Sequence, residues 1–131
     1  MSRTDIIADA FTIIRNAVRV QKEDTLLPHS KVLVKICELL KREGYIENFK
    51  EVDLGNFKSI KVYLKYDSKE SVLHEIKRVS KPGRRIYLKR QAVPLVLRGY
   101  GIGIISTSAD ILTNKEAREK GLGGEYIGMV W

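Results

Sequence analysis

The chain has 131 residues, 44% hydrophobic and 31% charged, the profile of a folded protein long enough to bury a core unaided. Lys and Arg number 24 against 16 Asp and Glu, giving a formal net charge of +8 and a pI near 9.6, a field that attracts polyanions such as nucleic acid or an anionic membrane. A single cysteine, Cys37, excludes a disulfide framework and a thiolate zinc cluster, and no apolar run approaches the roughly 20 residues of a transmembrane helix. The opening MSRTDIIADA has early acids and no signal-like apolar core, so a reducing compartment is expected.

Residues 5–20 predict a helix, because Ile6, Ile7, Ala10, Ile13, Ile14, Ala17 and Val18 recur at spacings of three and four; Thr4 or Asp5 can cap it. A second helix is predicted over 31–43. Ser30 is its cap, Val32, Leu33, Ile36, Leu39 and Leu40 its stripe, and Gly44 its left-handed stop. Cys37 falls among these apolar residues and reads as core. YIENFKEV and SIKVYLKY then flank DLGNFK as a hairpin. In its second strand Ile60, Val62, Leu64 and Tyr66 alternate with Lys61, Tyr63 and Lys65, so one face packs and the other meets water.

The next segment, 67–80, fits a short helix through Val72, Leu73, Ile76 and Val79, or a strand after Glu75, and marks a boundary between lobes. KPGRRIYLKR predicts a turn at Pro82 and Gly83 followed by a basic strand, and VPLVLRG one helical turn ending at Gly99. Ile102 to Thr107 reads as a strand. Thr113 to Glu116 has the T-x-x-E form of a capping box and opens a short helix, 114–120, closed by Gly121. GEYIGMVW is the last strand. The expected architecture is α+β: an N-terminal lobe, 1–67, of two helices on a small sheet, and a mostly β C-terminal lobe, 68–131, with a short helix.

The apolar run Ile102 to Ile105 ends in three hydroxyls, Ser106, Thr107 and Ser108. A serine nucleophile needs a base within hydrogen-bond reach. The two histidines, His29 and His74, sit in polar contexts without a partner motif, so catalysis is not expected. GYGIG is not a dinucleotide fingerprint, because Ile104 and Ser106 stand where glycine would be needed and the segment leads into a strand.

Hydroxyls both donate and accept, which suits a base edge, a ribose 2′-OH or a phosphate oxygen, and they lose little rotamer freedom when fixed. Gly123 and Gly124 bring bare backbone close to a ligand, and Glu125 can accept from a base amino group. Tyr87 lies among Arg84, Arg85, Lys89 and Arg90, an aromatic for stacking among cations for phosphate. A turn, a core tyrosine and a solvated basic loop remain as plainer readings of the same residues.

GIGIISTS, LTNKEAREKGLGGE and the terminal MVW resemble the C-terminal signature of ribosomal protein S eight, the eighth protein of the small ribosomal subunit, in its bacterial type. DIIADAFTIIRNA and KRVSKPGRRIY resemble that family's opening helix and central segment, so the likeness spans nearly the whole chain. It implies a structural constituent of the ribosome that binds the central domain of small-subunit rRNA and helps assemble the platform, without cofactor, metal or catalysis. The implied partners are that rRNA, neighbouring small-subunit proteins and, through the same surface, the messenger RNA of its own operon, with no membrane. The implied location is the cytoplasm of a bacterium, or an organelle's stroma or matrix. Carried over residue by residue, Ser106, Thr107, Ser108, Gly123, Gly124 and Glu125 would line the main RNA surface. Arg15 and Asn16, and more weakly Ser30 and Lys31, would add an N-terminal contact. The chain departs from the family pattern at Ile6, at Arg98, and at Ala109 and Asp110, where a basic residue is usual.

Overall fold

A computed structural model describes residues 5–89, 101–108 and 110–131. Thr4, Arg90, Arg98, Ala109 and the helical turn expected in VPLVLRG lie outside the described residues. The chain divides into two compact units, Ile6–His74 and Glu75–Trp131 with Asp5. The fold is α+β, with helices and antiparallel sheets.

The N-terminal unit is built from α1 (Ile6–Arg19), β1 (Asp24–Pro28), α2 (Lys31–Arg42), β2 (Ile46–Asp53) and β3 (Lys58–Leu64). Ala10, Phe11, Ile14 and Ala17 of α1 are buried, as are Leu33, Ile36, Cys37, Leu39 and Leu40 of α2. Phe11 takes a place that the spacing did not assign to it, and Val32 is exposed instead of joining the stripe. Ser30 adopts an extended conformation and its Oγ accepts from Leu33 N at 3.1 Å, satisfying one orphan donor of α2. Gly44 takes φ +82° and Tyr45 N returns to Leu40 O at 2.8 Å, which ends the helix.

The sheet order is β1-β3-β2. Ile60, Val62 and Leu64 are buried on one face, while Lys61 and Tyr63 line the other, where the Lys50 and Lys61 ammonium groups lie 5.8 and 5.5 Å from the Tyr63 ring centroid. The edge strand β1 carries no alternation to announce it and ends in Pro28, which an edge tolerates. A short hairpin follows, β4 (Tyr66–Asp67) and β5 (Glu70–Ser71). Tyr66 Oη donates to Lys22 O at 2.6 Å and Val72 N to Lys65 O at 3.0 Å, so the hairpin stays with this unit, which runs to His74.

Of the two readings open for 67–80, a short helix through Val72, Leu73, Ile76 and Val79 or a strand after Glu75, the strand forms. Residues Ile76–Arg78 are strand β6, paired with the C-terminal strand β10 (Gly124–Val130) through Ile76 opposite Val130 and Arg78 opposite Gly128. Ladder bonds to an existing strand outweigh a helical spacing this short.

The rest of the C-terminal unit is β7 (Tyr87–Leu88), β8 (Ile102–Ser106), β9 (Ile111–Thr113) and α3 (Asn114–Glu119). The strands run β6-β10-β8-β9, with β7 also on β10. Buried Ile105, Ala117 and Tyr126 form a core cluster, with Val79, Ile86, Leu88 and Met129 packed against it. The capping box is present, with Glu116 N donating to Thr113 Oγ1 at 3.1 Å and Thr113 N to Glu116 Oε1 at 3.2 Å. Arg78, its side chain only 7% exposed, pairs with Asp5 at 3.2 Å and donates to Ile127 O at 2.7 Å. No helix among the described residues is long and apolar enough to cross a membrane.

Candidate nucleic-acid interface

Strand register brings the C-terminal candidates together. Glu125 pairs with Ser106 on β8 and with Tyr87 on β7, so three strands present Tyr87, Glu125 and Ser106 side by side. The next pair, Tyr126 with Ile105, faces the core cluster. Tyr87 is 69% exposed, which removes the core reading of its ring.

The glycine at 124 has a mechanical reason. A Cβ on Gly124 would stand 2.0 Å from Ser106 O and 2.8 Å from Ser106 C, so only glycine lets β10 approach the end of β8 this closely.

The three hydroxyls divide. Thr107 is spent on the β8–β9 turn: its Oγ1 donates to Asp110 O at 2.7 Å and accepts from Asp110 N at 3.1 Å, and its backbone N also reaches Asp110 O. Ser106 closes β8 half-buried, and Ser108 stands exposed in the turn.

Glu125 is already partnered. Its Oε2 accepts from Ser80 Oγ at 2.6 Å and from Arg85 Nη1 at 3.0 Å. Burial pushes its carboxyl up, but the Ser80 and Arg85 hydrogen bonds and the Arg85 and Arg78 charges together hold it below the usual glutamate range. Arg84 sits in the turn closed by the Lys81–Arg84 bridge, and Lys89 is exposed just past β7. The expected basic strand is thus short, only Tyr87–Leu88.

Ser80 belongs to this site, and nothing in the sequence marks it. A serine before a Lys-Pro-Gly turn reads as part of the turn, yet it is fully buried. The N-terminal candidates lie in the other unit. Arg15 and Asn16 are on α1, Lys31 is exposed at the start of α2, and the Ser30 hydroxyl is used as that helix's cap.

The histidines pair with carboxylates, His29 Nε2 with Glu51 Oε1 at 2.5 Å and His74 Nε2 with Glu70 Oε1 at 3.5 Å. Among the described residues no group of three His, Cys, Asp or Glu could hold a metal ion. This end of the sheet displays the Ser106 and Ser108 hydroxyls, the exposed Tyr87 ring and the Arg85 guanidinium together.

The family model described as "Ribosomal protein S8" matches residues 5–131. The chain is 52% identical to the small ribosomal subunit protein uS8 of Streptococcus equi subsp. zooepidemicus, with all of both chains covered. It is 47% identical to the uS8 of Thermus thermophilus, over 98% of this chain and 99% of the relative, and 48% identical to that of Geobacillus stearothermophilus, over 99% of each. The chain belongs to the ribosomal protein S8 family, structural and non-enzymatic constituents of the small ribosomal subunit.

Proposed function

We propose that this protein binds the central domain of small-subunit rRNA directly and helps assemble the platform, alongside neighbouring small-subunit proteins, in the bacterial cytoplasm. The observation that carries the reading is the row Tyr87, Glu125 and Ser106, with Ser108 beside it and Gly123 leading into β10. Charge supports the same stretch of the chain: residues 75–131 hold 11 Lys and Arg against 5 Asp and Glu, whereas residues 6–74 hold 12 against 10. Arg84, Arg85 and Lys89 supply phosphate contacts, the Tyr87 ring takes a base or ribose, and Ser106 and Ser108 meet polar edges of an irregular helix. Thr107 shapes the turn that presents Ser108. Arg15, Asn16, Ser30 and Lys31 provide a lesser contact, Ser30 through its place at the helix start rather than its hydroxyl.

The test is binding to a central-domain rRNA fragment against a scrambled duplex across a salt series. A preference of about 10³ or more that survives as salt weakens both affinities is the expected result. Equal affinities that vanish together would reduce the protein to a cationic surface and overturn the reading. An operon messenger RNA that competes with the fragment at comparable concentration would add a repressor role to the same surface.

A further inference from the structure

Ser80 occupies an unusual place for a turn serine. Its side chain is fully buried, and its backbone N donates to Tyr126 O at 3.1 Å, which fastens it to β10. Its Oγ accepts from Ile86 N at 3.0 Å and lies 2.6 Å from Glu125 Oε2. Those two contacts fix the direction of the hydroxyl. Ile86 N–H can only donate and an ionised carboxylate can only accept, so the single hydroxyl proton goes to Glu125. Glu125 Oε2 in turn receives Arg85 Nη1, and Tyr126 N donates to Ile86 O at 2.8 Å. One buried oxygen therefore ties together the segments bearing Arg85, Tyr87 and Glu125.

We propose that Ser80 is a positioning residue for RNA recognition, fixing the Glu125 carboxylate and, through it, the Arg85 guanidinium in the arrangement the RNA meets. This rests on the reading of the C-terminal unit as the RNA surface. An Arg–Glu pair held only at a surface is loosely ordered, because two long side chains must surrender their rotamers to keep it. A buried donor beneath the carboxylate takes that ordering out of the binding step, so the pair is set before the RNA arrives. Glu125 Oε1 accepts from no described residue, and it remains available to a base amino group. The alternative is that Ser80 serves the local fold alone, through its bond to Ile86 N.

A double-mutant cycle separates the two. Wild type, Ser80→Ala, Glu125→Gln and the double variant are compared for their preference for the rRNA fragment over the scrambled duplex at one salt concentration, with thermal melts alongside. Ser80→Ala is expected to lower the preference about tenfold, and the double variant to be no worse than Glu125→Gln alone, since residues acting through one group are non-additive. Losses that multiply, or a Ser80→Ala protein with full preference, would overturn the proposal. If Ser80→Ala does not melt cooperatively, Ser80→Cys, whose thiol is a weak donor, takes its place in the cycle with the same criteria. A wild-type protein without preference would instead overturn the RNA reading, whereas a specific wild type with an additive cycle would overturn only the role of Ser80.

Discussion

Gly124 and Ser106 are in direct backbone contact: a Cβ on Gly124 would fall 2.0 Å from the Ser106 carbonyl oxygen, well inside any distance real atoms tolerate. The contact closes the end of the sheet on which Ser106, Glu125 and Tyr87 are aligned. Gly124→Ala must therefore push β10 away from β8. It is expected to lower stability by roughly 1–3 kcal/mol through overpacking, and to weaken rRNA binding more than that loss alone would. Urea unfolding and fragment binding on the same variant check this. An alanine variant of unchanged stability would show that the strands separate easily and that the glycine is not needed for the approach.

The three neighbouring hydroxyls should separate in mutagenesis. Thr107→Ala removes the side chain that both donates to Asp110 O and accepts from Asp110 N. It is expected to cost about 0.5–1.5 kcal/mol of stability, the usual net worth of such bonds. Ser108→Ala, whose side chain is exposed, should leave stability unchanged and cost about 1–3 kcal/mol of RNA binding if its hydroxyl meets a buried polar partner in the complex. Unchanged affinity for the Ser108 variant would make the turn its whole role.

Why the triplet looked uniform in the sequence is a physical matter. Ser and Thr carry the same donor and acceptor whether they close a turn or face a ligand. Which one closes it depends on where the chain reverses, and that was set by β9, a three-residue strand, Ile111–Thr113, too short to show a period. The helices were legible because their apolar spacing and caps are local, as with Ser30 and the Thr113–Glu116 box. Elements whose existence depends on a distant partner were less so: β1 forms only on β3, and the choice between helix and strand at Ile76–Arg78, left open by local spacing, is decided by β10 beside it. Ser80 was invisible for the same reason. Its partners, Ile86 and Glu125, are 6 and 45 residues away in sequence.

Lys89 is exposed just beyond β7, two residues from Tyr87. Lys89→Ala is expected to weaken specific and scrambled RNA alike and to reduce the slope of log K against log salt by about one unit, the loss of one phosphate neutralised. A salt series on both RNAs decides it. An unchanged slope would place Lys89 off the phosphate backbone.

Acid should unfold the protein partly through Glu125. Its folded carboxyl titrates below the usual value of 4.5, because the Ser80 and Arg85 bonds outweigh the effect of burial. A depressed folded pKa adds stability that is complete above 4.5 and disappears as pH falls through the lower, folded value. Glu125→Gln should therefore be less stable than wild type near neutrality, with the gap narrowing below pH 4.5. Unfolding free energies at several pH values measure the gap directly. A gap that stays constant down to the acid limit would mean that the carboxylate charge contributes nothing through these bonds.

Cys37 gives a readout of the N-terminal unit that is independent of RNA. It is buried on α2, and its thiol is pushed up to about 12, by burial first and by the Glu38 charge second. At pH 8 only about one native molecule in ten thousand would carry the reactive thiolate. The thiol should therefore resist alkylation in the folded protein and react at once in denaturant, and its labelling rate at pH 8 should follow the opening of the α2 core rather than the reagent's intrinsic rate. The raised value also means that stability declines above pH 9, where the unfolded thiol ionises and the folded one does not. Mass-spectrometric labelling kinetics with and without urea provide the check. Rapid native alkylation at pH 8 would show that α2 opens far more readily than its buried stripe of Leu33, Ile36, Leu39 and Leu40 allows.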